Sequence, residues 1–487
     1  MLFVYYTVPN LDHLYIDFLG PCKIERIAMS TPEFGKLEVD HDKNMREKHS
    51  VNGSEDLFDQ LPDHIFPLII SSLTLKEAAI TSAISKRWWS LWPQIPAMNF
   101  ERSLHGDKSG YKKWVNQVLN SQRGSTFTID QFSIDFELDS SSADDIDRWL
   151  GFAFARRVRK LEFFLNETGT VGTRPLDYSK FYTFPEDLCQ HLKTPAGLLS
   201  IKCLTSLSLR CVNVTGEIIC HFLSCCPSLE QLVVDSSNLL VSIKVVGPSP
   251  LWLKHLDILR CPNFISVELC VPNLVHFGYE GREMKMRFGN TPFLSHVFIS
   301  EWARQSRGSA LFQLSGCFSH LETLELHFLL TNMVFPRKAE LTNLKQLKVW
   351  SFHERDASLL GTLDSLMKGA PLLEKLTLQF ATLPRDPRQK RKPAIVGGTH
   401  HYPSLKMVEM YGFTGGEGEL ELALFLFEKA IKLEKIVVDL YSPRCTLRLK
   451  RNMEVRFLMP NTRERIWELR EKVPPGVEFI EIMPPGE

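Results

Sequence analysis

One pattern, L-x-x-L-x-L with conservative replacements, constrains this chain more than any other feature. It runs as Leu204/Leu207/Leu209, Leu229/Leu232/Val234, Leu253/Leu256/Ile258 and Leu274/Phe277/Tyr279. It continues as Leu294/Val297/Ile299, Leu321/Leu324/Leu326, Leu344/Leu347/Val349, Leu373/Leu376/Leu378, Leu405/Val408/Met410 and Leu433/Ile436/Val438. Fainter copies start at Ile129 and Val158. Successive first positions from Leu204 are separated by 25, 24, 21, 20, 27, 23, 29, 32 and 28 residues. A unit of this length cannot bury its own apolar face, so neighbouring units must stack and share one core. The alternation inside each unit predicts a short strand with one side in that core and one side open. The fold class is therefore α/β: a solenoid whose strands form a curved parallel sheet, with helical and extended segments on the convex side.

Two further regularities set the register. Proline stands two places before the first leucine at Pro227, Pro272, Pro292, Pro371 and Pro403, where it ends the preceding segment and leads into a strand. Between strands, Ile218/Ile219/Phe222/Leu223 and Leu359/Leu360/Leu363/Leu366/Met367 have helical spacing. The two shortest units leave little room for a helix, so extended convex segments are expected there.

Residues 57 to 92 differ in kind. Leu61, Ile65, Ile69 and Leu73 fall at helical spacing, Pro62 suits a first helical position, and Thr74-Leu-Lys-Glu77 reads as a capping box opening a second helix. Trp88 and Trp92 share a face of a third short piece. Three short helices bury little alone, so their apolar surface calls for a partner. Residues 1 to 54 mix a short apolar start with charged text and predict an extension without fixed structure; Met29 offers a second plausible start. The first 20 residues lack a basic beginning and carry Asp12 and Asp17, a poor fit to a signal peptide.

Composition narrows the function. Lys+Arg and Asp+Glu are both 57 in 487 residues, which argues against a generally basic nucleic-acid binder. The longest apolar runs, such as 422–427, fall far short of a membrane span. The eleven cysteines are irregularly spread with no C-x-x-C pair, as expected of reduced thiols in a cytoplasmic or nuclear protein. Phosphate-loop, nucleophile-elbow and H-E-x-x-H patterns are missing from the sequence, and no catalytic residue, metal site or cofactor is assigned. Gly415-Gly416-Glu-Gly418 reads as a strand-to-helix loop. Residues 384–393, PRDPRQKRKP, carry five basic side chains and read as a surface loop.

Residues 55 to 100 resemble the F-box of the large plant F-box/leucine-rich-repeat family. The matching pieces are Leu61-Pro62-Asp63, 69–73, Lys76-Glu77-Ala78-Ala79, Ser82, Ser85-Lys86-Arg87-Trp88, Leu91-Trp92, Pro96 and Phe100. Residues 403 to 482 are similar, more loosely, to the family's C-terminal FBD region. His64, Pro67 and Trp89 depart from the pattern; Pro67 removes a backbone donor inside the first helix and favours a kink. The resemblance implies an extension at 1–54, an F-box at 55–101, a linker helix at 102–128, leucine-rich repeats at 129–402 and FBD-like repeats at 403–482. It further implies a non-catalytic subunit of a cullin-based (SCF-type) ubiquitin ligase, docked on a Skp-type adaptor and holding a protein target for ubiquitination. A repeat scaffold, or a ligand-dependent co-receptor, without ligase function is the alternative.

Candidate residues follow for both ends. Leu61, Pro62, Ile65, Ile69, Leu73, Ile84, Trp88 and Leu91 form the expected adaptor-binding face. On the concave face, the third repeat position is histidine in three successive units, His255, His276 and His296. Matching positions on neighbouring strands lie about 4.8 Å apart, so these make a ladder. With Asp257, Phe298, Trp350 and Tyr411 they are the expected target-binding residues, the aromatic ones as exposed anchors.

Overall fold

The computed structural model describes residues 13–20, 23–30, 73–75, 77–78, 95–102, 107–122, 128–165, 177–186, 201–245, 252–301, 313–328, 340–351, 357–380, 400–440 and 462–482. The chain divides into two compact units, Met1–Ser133 and Ile134–Glu487.

In the first unit, β1 (His13–Gly20) pairs antiparallel with β2 (Lys23–Ser30), a hairpin inside the segment expected to lack fixed structure. β3 (Ala97–Glu101) and α1 (Lys108–Ser121) follow, and β4 (Gln131–Asp135) straddles the unit boundary. Helix α1 starts where Asp107 accepts a hydrogen bond from the Gly110 amide, and it buries Tyr111, Val115 and Leu119 at four-residue spacing. The Tyr111 hydroxyl donates to the Phe100 carbonyl at 2.7 Å, so the ring is buried without stranding its polar end. Trp114 meets Phe100 edge to face at 5.0 Å.

Within residues 55–101 the described part bears directly on the capping box. The Thr74 amide donates to Glu77 Oε2 at 2.8 Å, and the Glu77 amide donates back to Thr74 Oγ1 at 3.3 Å. The first helical bond, Ala78 amide to Thr74 carbonyl, follows at 2.9 Å. The three-helix arrangement itself lies outside the described residues.

The second unit is the solenoid. Its elements are α2 (Ala143–Ala155), β5 (Lys160–Phe164), β6 (Tyr182–Thr183), β7 (Ser206–Arg210), β8 (Val212–Asn213), α3 (Gly216–Cys225), β9 (Gln231–Asp235), β10 (Ser242–Val245) and β11 (His255–Leu259). Then come β12 (Ser266–Leu269), β13 (His276–Gly281), β14 (Lys285–Phe288), β15 (His296–Glu301), β16 (Thr323–Phe328), β17 (Gln346–Ser351), α4 (Ala357–Lys368) and β18 (Lys375–Phe380). The last are β19 (Met407–Tyr411), α5 (Glu417–Lys429), β20 (Lys435–Asp439), α6 (Thr462–Glu471) and β21 (Glu478–Ile482).

The main sheet runs β5-β7-β9-β11-β13-β15-β16-β17-β18-β19-β20-β21, and each of these pairs is parallel. The register matches the repeat: Leu207, Leu232, Leu256, Phe277, Val297 and Leu324 form one row, and all are buried. The fainter copy that starts at Val158 belongs as well, with Leu161 and Phe163 of β5 buried opposite Leu207 and Leu209.

The convex side follows unit length. The 20- and 21-residue units carry the expected extended segments, β14 and β12, and the 24-residue unit adds β10 to make a second parallel sheet, β10-β12-β14. Both helical spacings form helices, α3 and α4, whose apolar sides are buried. Among the described residues, no helix is long and apolar enough to cross a membrane.

Proline's place acquires a different reason from strand lead-in. The amides of Leu229, Leu274, Leu294 and Leu373 each donate to the carbonyl three residues earlier, so Pro227, Pro272, Pro292 and Pro371 occupy the second position of a tight turn. There a fixed φ near −65° is already correct.

Candidate functional site

The strand register decides what meets on the open face of the main sheet. His255 pairs with His276, and His276 with His296, so the histidine ladder is real. Its members are not equivalent. The His255 and His276 rings stack, with centroids 3.9 Å apart and planes within 3°. Both donate from Nε2 to one carboxylate: His255 to Asp257 Oδ2 and His276 to Asp257 Oδ1, each at 3.1 Å. Asp257 lies two residues beyond His255 and so on the same face.

To reach across to the next strand, the Asp257 side chain needs room, and Gly278 supplies it. Gly278 is the register partner of Asp257, and a Cβ there would stand 1.9 Å from Asp257 Oδ1 and 3.2 Å from His276 Nε2. The Asp257 side chain is 15% exposed. Burial opposes its charge, but the hydrogen bonds and positive charge offered by His255 and His276 outweigh burial and hold the carboxyl well below the usual range. His296, by contrast, is held below the ordinary imidazole value by burial and by its neighbours His276, Lys348 and His255, against the pull of Glu322.

Further along the same face, Glu325 and His327 repeat the two-residue spacing. His327 Nε2 donates to Glu325 Oε1 at 3.0 Å, and Lys348 Nζ lies 3.7 Å from Glu325 Oε2. The His327 ring sits between Phe298, met edge to face at 4.6 Å, and Trp350 at 4.3 Å. Phe298 was expected among exposed aromatic anchors but is only 4% exposed. The flanking ring of His327 accounts for part of that cover. Trp350 and Tyr411 remain half-buried at the same repeat position, separated by Gln379.

At the strand ends, Arg260 is the centre of a buried ion cluster. It pairs with Asp235 and lies 3.6 Å from Glu280, and these carboxylates raise its affinity for protons despite burial. Arg260 also adopts a left-handed φ of 51°, and Cys211 and Ser236, directly after their own strands, have φ of 57° and 61°.

Of the expected adaptor-binding residues, Leu73 is half-buried at a bend just before Thr74. Leu61, Pro62, Ile65, Ile69, Ile84, Trp88 and Leu91 lie outside the described residues, as does the basic segment 384–393. Two contributors are not named by the repeat pattern alone. Gly278 was legible only as a glycine at the fifth repeat position. Asn213, Asn238 and Asn263 form a ladder along the turns: the Asn238 amide donates to Asn213 Oδ1 at 3.0 Å, and Asn263 Nδ2 donates to the Asn238 carbonyl at 3.0 Å. Asparagine nine residues after Leu204 and again after Leu229 was the available signal.

A parallel solenoid sheet with leucine at the buried repeat positions and a polar, histidine-bearing open face defines the class: a leucine-rich-repeat protein. Comparison with known proteins agrees. The family model described as At1g61320/AtMIF1, LRR domain, matches residues 119–471. The Arabidopsis thaliana F-box/FBD/LRR-repeat protein At4g00160 is 32% identical over 410 residues, covering 78% of this chain and 85% of that protein. A second Arabidopsis thaliana relative, F-box/FBD/LRR-repeat protein At5g53840, is 25% identical over 414 residues, covering 81% and 90%. Putative F-box/LRR-repeat protein At5g02700, also of Arabidopsis thaliana, is 30% identical over 194 residues, covering 37% and 39%. The chain belongs to the plant F-box/FBD/leucine-rich-repeat family.

Proposed function

We propose that this chain is the substrate-recognition subunit of an SCF-type ubiquitin ligase, without catalytic chemistry of its own. Residues 55–101 dock on a Skp-type adaptor through the apolar face built from Leu61, Pro62, Ile65, Ile69, Leu73, Ile84, Trp88 and Leu91. The repeats, 129–402, and the FBD-like region, 403–482, hold a protein target on the open face. The contribution to reaction is proximity: a target lysine is kept near a ubiquitin-charged enzyme brought by other subunits. The observation that carries this reading is the coexistence of an F-box-like segment and a long repeat face in a chain whose relatives are named F-box/FBD/LRR-repeat proteins. On the face itself, Trp350 and Tyr411 are half-buried aromatic side chains of the kind that anchor bound proteins.

Affinity capture of the full chain, with proteasome and neddylation inhibited, tests it. The adaptor and a cullin should co-purify, together with accumulated target, and deletion of 55–101 should remove the adaptor and the cullin while leaving the target. Undiminished adaptor capture after that deletion overturns the docking assignment. A scaffold or ligand-dependent co-receptor without ligase function is the second reading, favoured by Pro67 in the first expected helix; target capture with no adaptor under any condition would select it.

A further inference from the structure

Three potential ligand atoms converge on the open face without an assigned role. His255, Asp257 and His276 each offer one donor atom, and those atoms all lie within 4.8 Å of one another. Two imidazoles and a carboxylate form the protein donor set that leaves zinc a fourth position for water. In tetrahedral coordination, bonds of about 2.0–2.2 Å place neighbouring donors about 3.4 Å apart. Here His255 Nε2 lies 3.1 Å from Asp257 Oδ2 and His276 Nε2 lies 3.1 Å from Oδ1, and the three donors all lie within 4.8 Å, so a small inward shift closes the set.

The arrangement depends on more than proximity. Register pairing sets His255 beside His276, the two-residue strand period sets Asp257 on their face, and the missing Cβ of Gly278 lets one carboxylate address both rings. The Asp257 side chain is 15% exposed, so the donors are partly desolvated yet open to solvent. No lysine or arginine side chain forms a described ion pair with Asp257; its described partners are the two histidines.

We propose that His255, Asp257 and His276 form a binding site for a divalent transition-metal ion of zinc type, with Gly278 as its positioning residue and water completing the sphere. Binding exchanges the two Nε2–H···O hydrogen bonds for metal bonds and tilts the stacked rings toward one another, so that both in-plane lone pairs meet at the ion. Each ring gives up its Nε2 proton, to its own Nδ1 from the neutral form or to solvent from the protonated form, and so frees the Nε2 lone pair. The ion needs no oxidant or reductant. This inference is independent of the ligase reading, since it concerns the isolated chain.

The test uses the untagged full-length protein, stripped with chelator and titrated calorimetrically with zinc chloride. Wild type should take up about one equivalent, and zinc should raise its melting temperature because the ion binds the folded state. His276→Gln should abolish the stoichiometric binding and the thermal shift. Gly278→Ala keeps every ligand but displaces Asp257, and should weaken affinity about ten- to hundredfold, the range found when a group that orients a ligand is altered. His296→Gln, one strand beyond the cluster, should bind as wild type. Zinc should also protect His255 and His276, but not His296, from diethyl pyrocarbonate in the unmutated protein, a readout that does not rely on any variant folding. Absence of stoichiometric uptake by wild type overturns the site. So does unchanged uptake by His276→Gln, which would put the ion elsewhere, for instance on the exposed Cys203, and so does equal modification of all three histidines.

Discussion

Thr74 and Glu77 close a reciprocal pair of hydrogen bonds across one turn, and the consequence is measurable at the residue scale. Replacing Thr74 with Ala should cost about 1 kcal/mol of helix stability, the usual loss of an N-cap, read by urea unfolding at neutral pH. The Thr74 amide and hydroxyl hold the Glu77 carboxyl below its ordinary value of 4.5. The folded state therefore binds this proton less readily than the unfolded chain, so the stabilisation is complete above about pH 4.5 and is lost as pH falls through the lowered value. The penalty of Glu77→Gln should accordingly shrink below pH 4.5, and a constant penalty down to strongly acidic pH would contradict the capping role. Thiol chemistry gives a second residue-scale expectation. Burial pushes the Cys261 thiol up to about 12, and burial raises Cys226 as well, while Cys203 is exposed. Because thiolate is the nucleophile, iodoacetamide at mildly alkaline pH should label Cys203 in the folded protein and leave Cys226 and Cys261 unlabelled until denaturant is added. Peptide mass mapping would detect the order, and early labelling of Cys261 would contradict its placement.

At the scale of elements, the glycine-rich stretch after β19 behaves as a loop whose conformation is held by one acid. Glu419, buried in α5, accepts from the amides of Thr414, Gly415 and Gly416 at 2.8, 3.0 and 3.2 Å and from the Thr414 hydroxyl. Gly415 has a φ of +78°, which a side chain would resist, and its carbonyl accepts from Arg465 of α6. The Thr462 hydroxyl donates to the Thr414 carbonyl at 2.7 Å, so the same loop receives the start of α6. Glu419→Ala strands buried amide donors and should cost about 1–3 kcal/mol in urea unfolding; Glu419→Gln, which keeps an acceptor, should cost less. Equal stability of Glu419→Ala and wild type would show that water replaces the carboxylate. The loop was legible in its glycines, but the acid's role was not, because an N-terminal helix glutamate has the same sequence context whether it faces solvent or its own loop. Proline was legible in the same partial way. Its spacing marked the repeat, and only the carbonyl three residues before Leu229, Leu274, Leu294 and Leu373 identifies the turn.

For the whole molecule, the expected adaptor face and the open face lie in separate units. Leu61→Ala with Pro62→Ala should lower adaptor capture strongly, since buried apolar anchors commonly cost about 2 kcal/mol or more each. Trp350→Ala should lower target capture while adaptor capture stays intact, because effects at sites without shared partners are usually independent. Quantitative capture from the same lysate checks both; a parallel fall of both activities in Trp350→Ala would indicate misfolding and defeat the separation. The repeat itself is readable in the sequence because strand stacking demands an apolar residue at the same positions of every unit, and that demand is written locally at Leu207, Leu232 and Leu256. The extended convex strands were readable for the same kind of reason, since 20 residues cannot hold a strand, two turns and a helix. The open face obeys no such local rule. His255, His276 and His296 look alike along the chain, yet two stack over one carboxylate and the third does not. Phe298 and Trp350 are both aromatic side chains of repeat strands, yet one is covered and the other half-open. What separates them is the neighbour in register, some 20 to 30 residues away: a missing Cβ at Gly278 that admits Asp257, and a His327 ring that flanks Phe298. Contacts between side chains on adjacent strands are set by packing across the sheet, and a single strand's sequence carries no record of them.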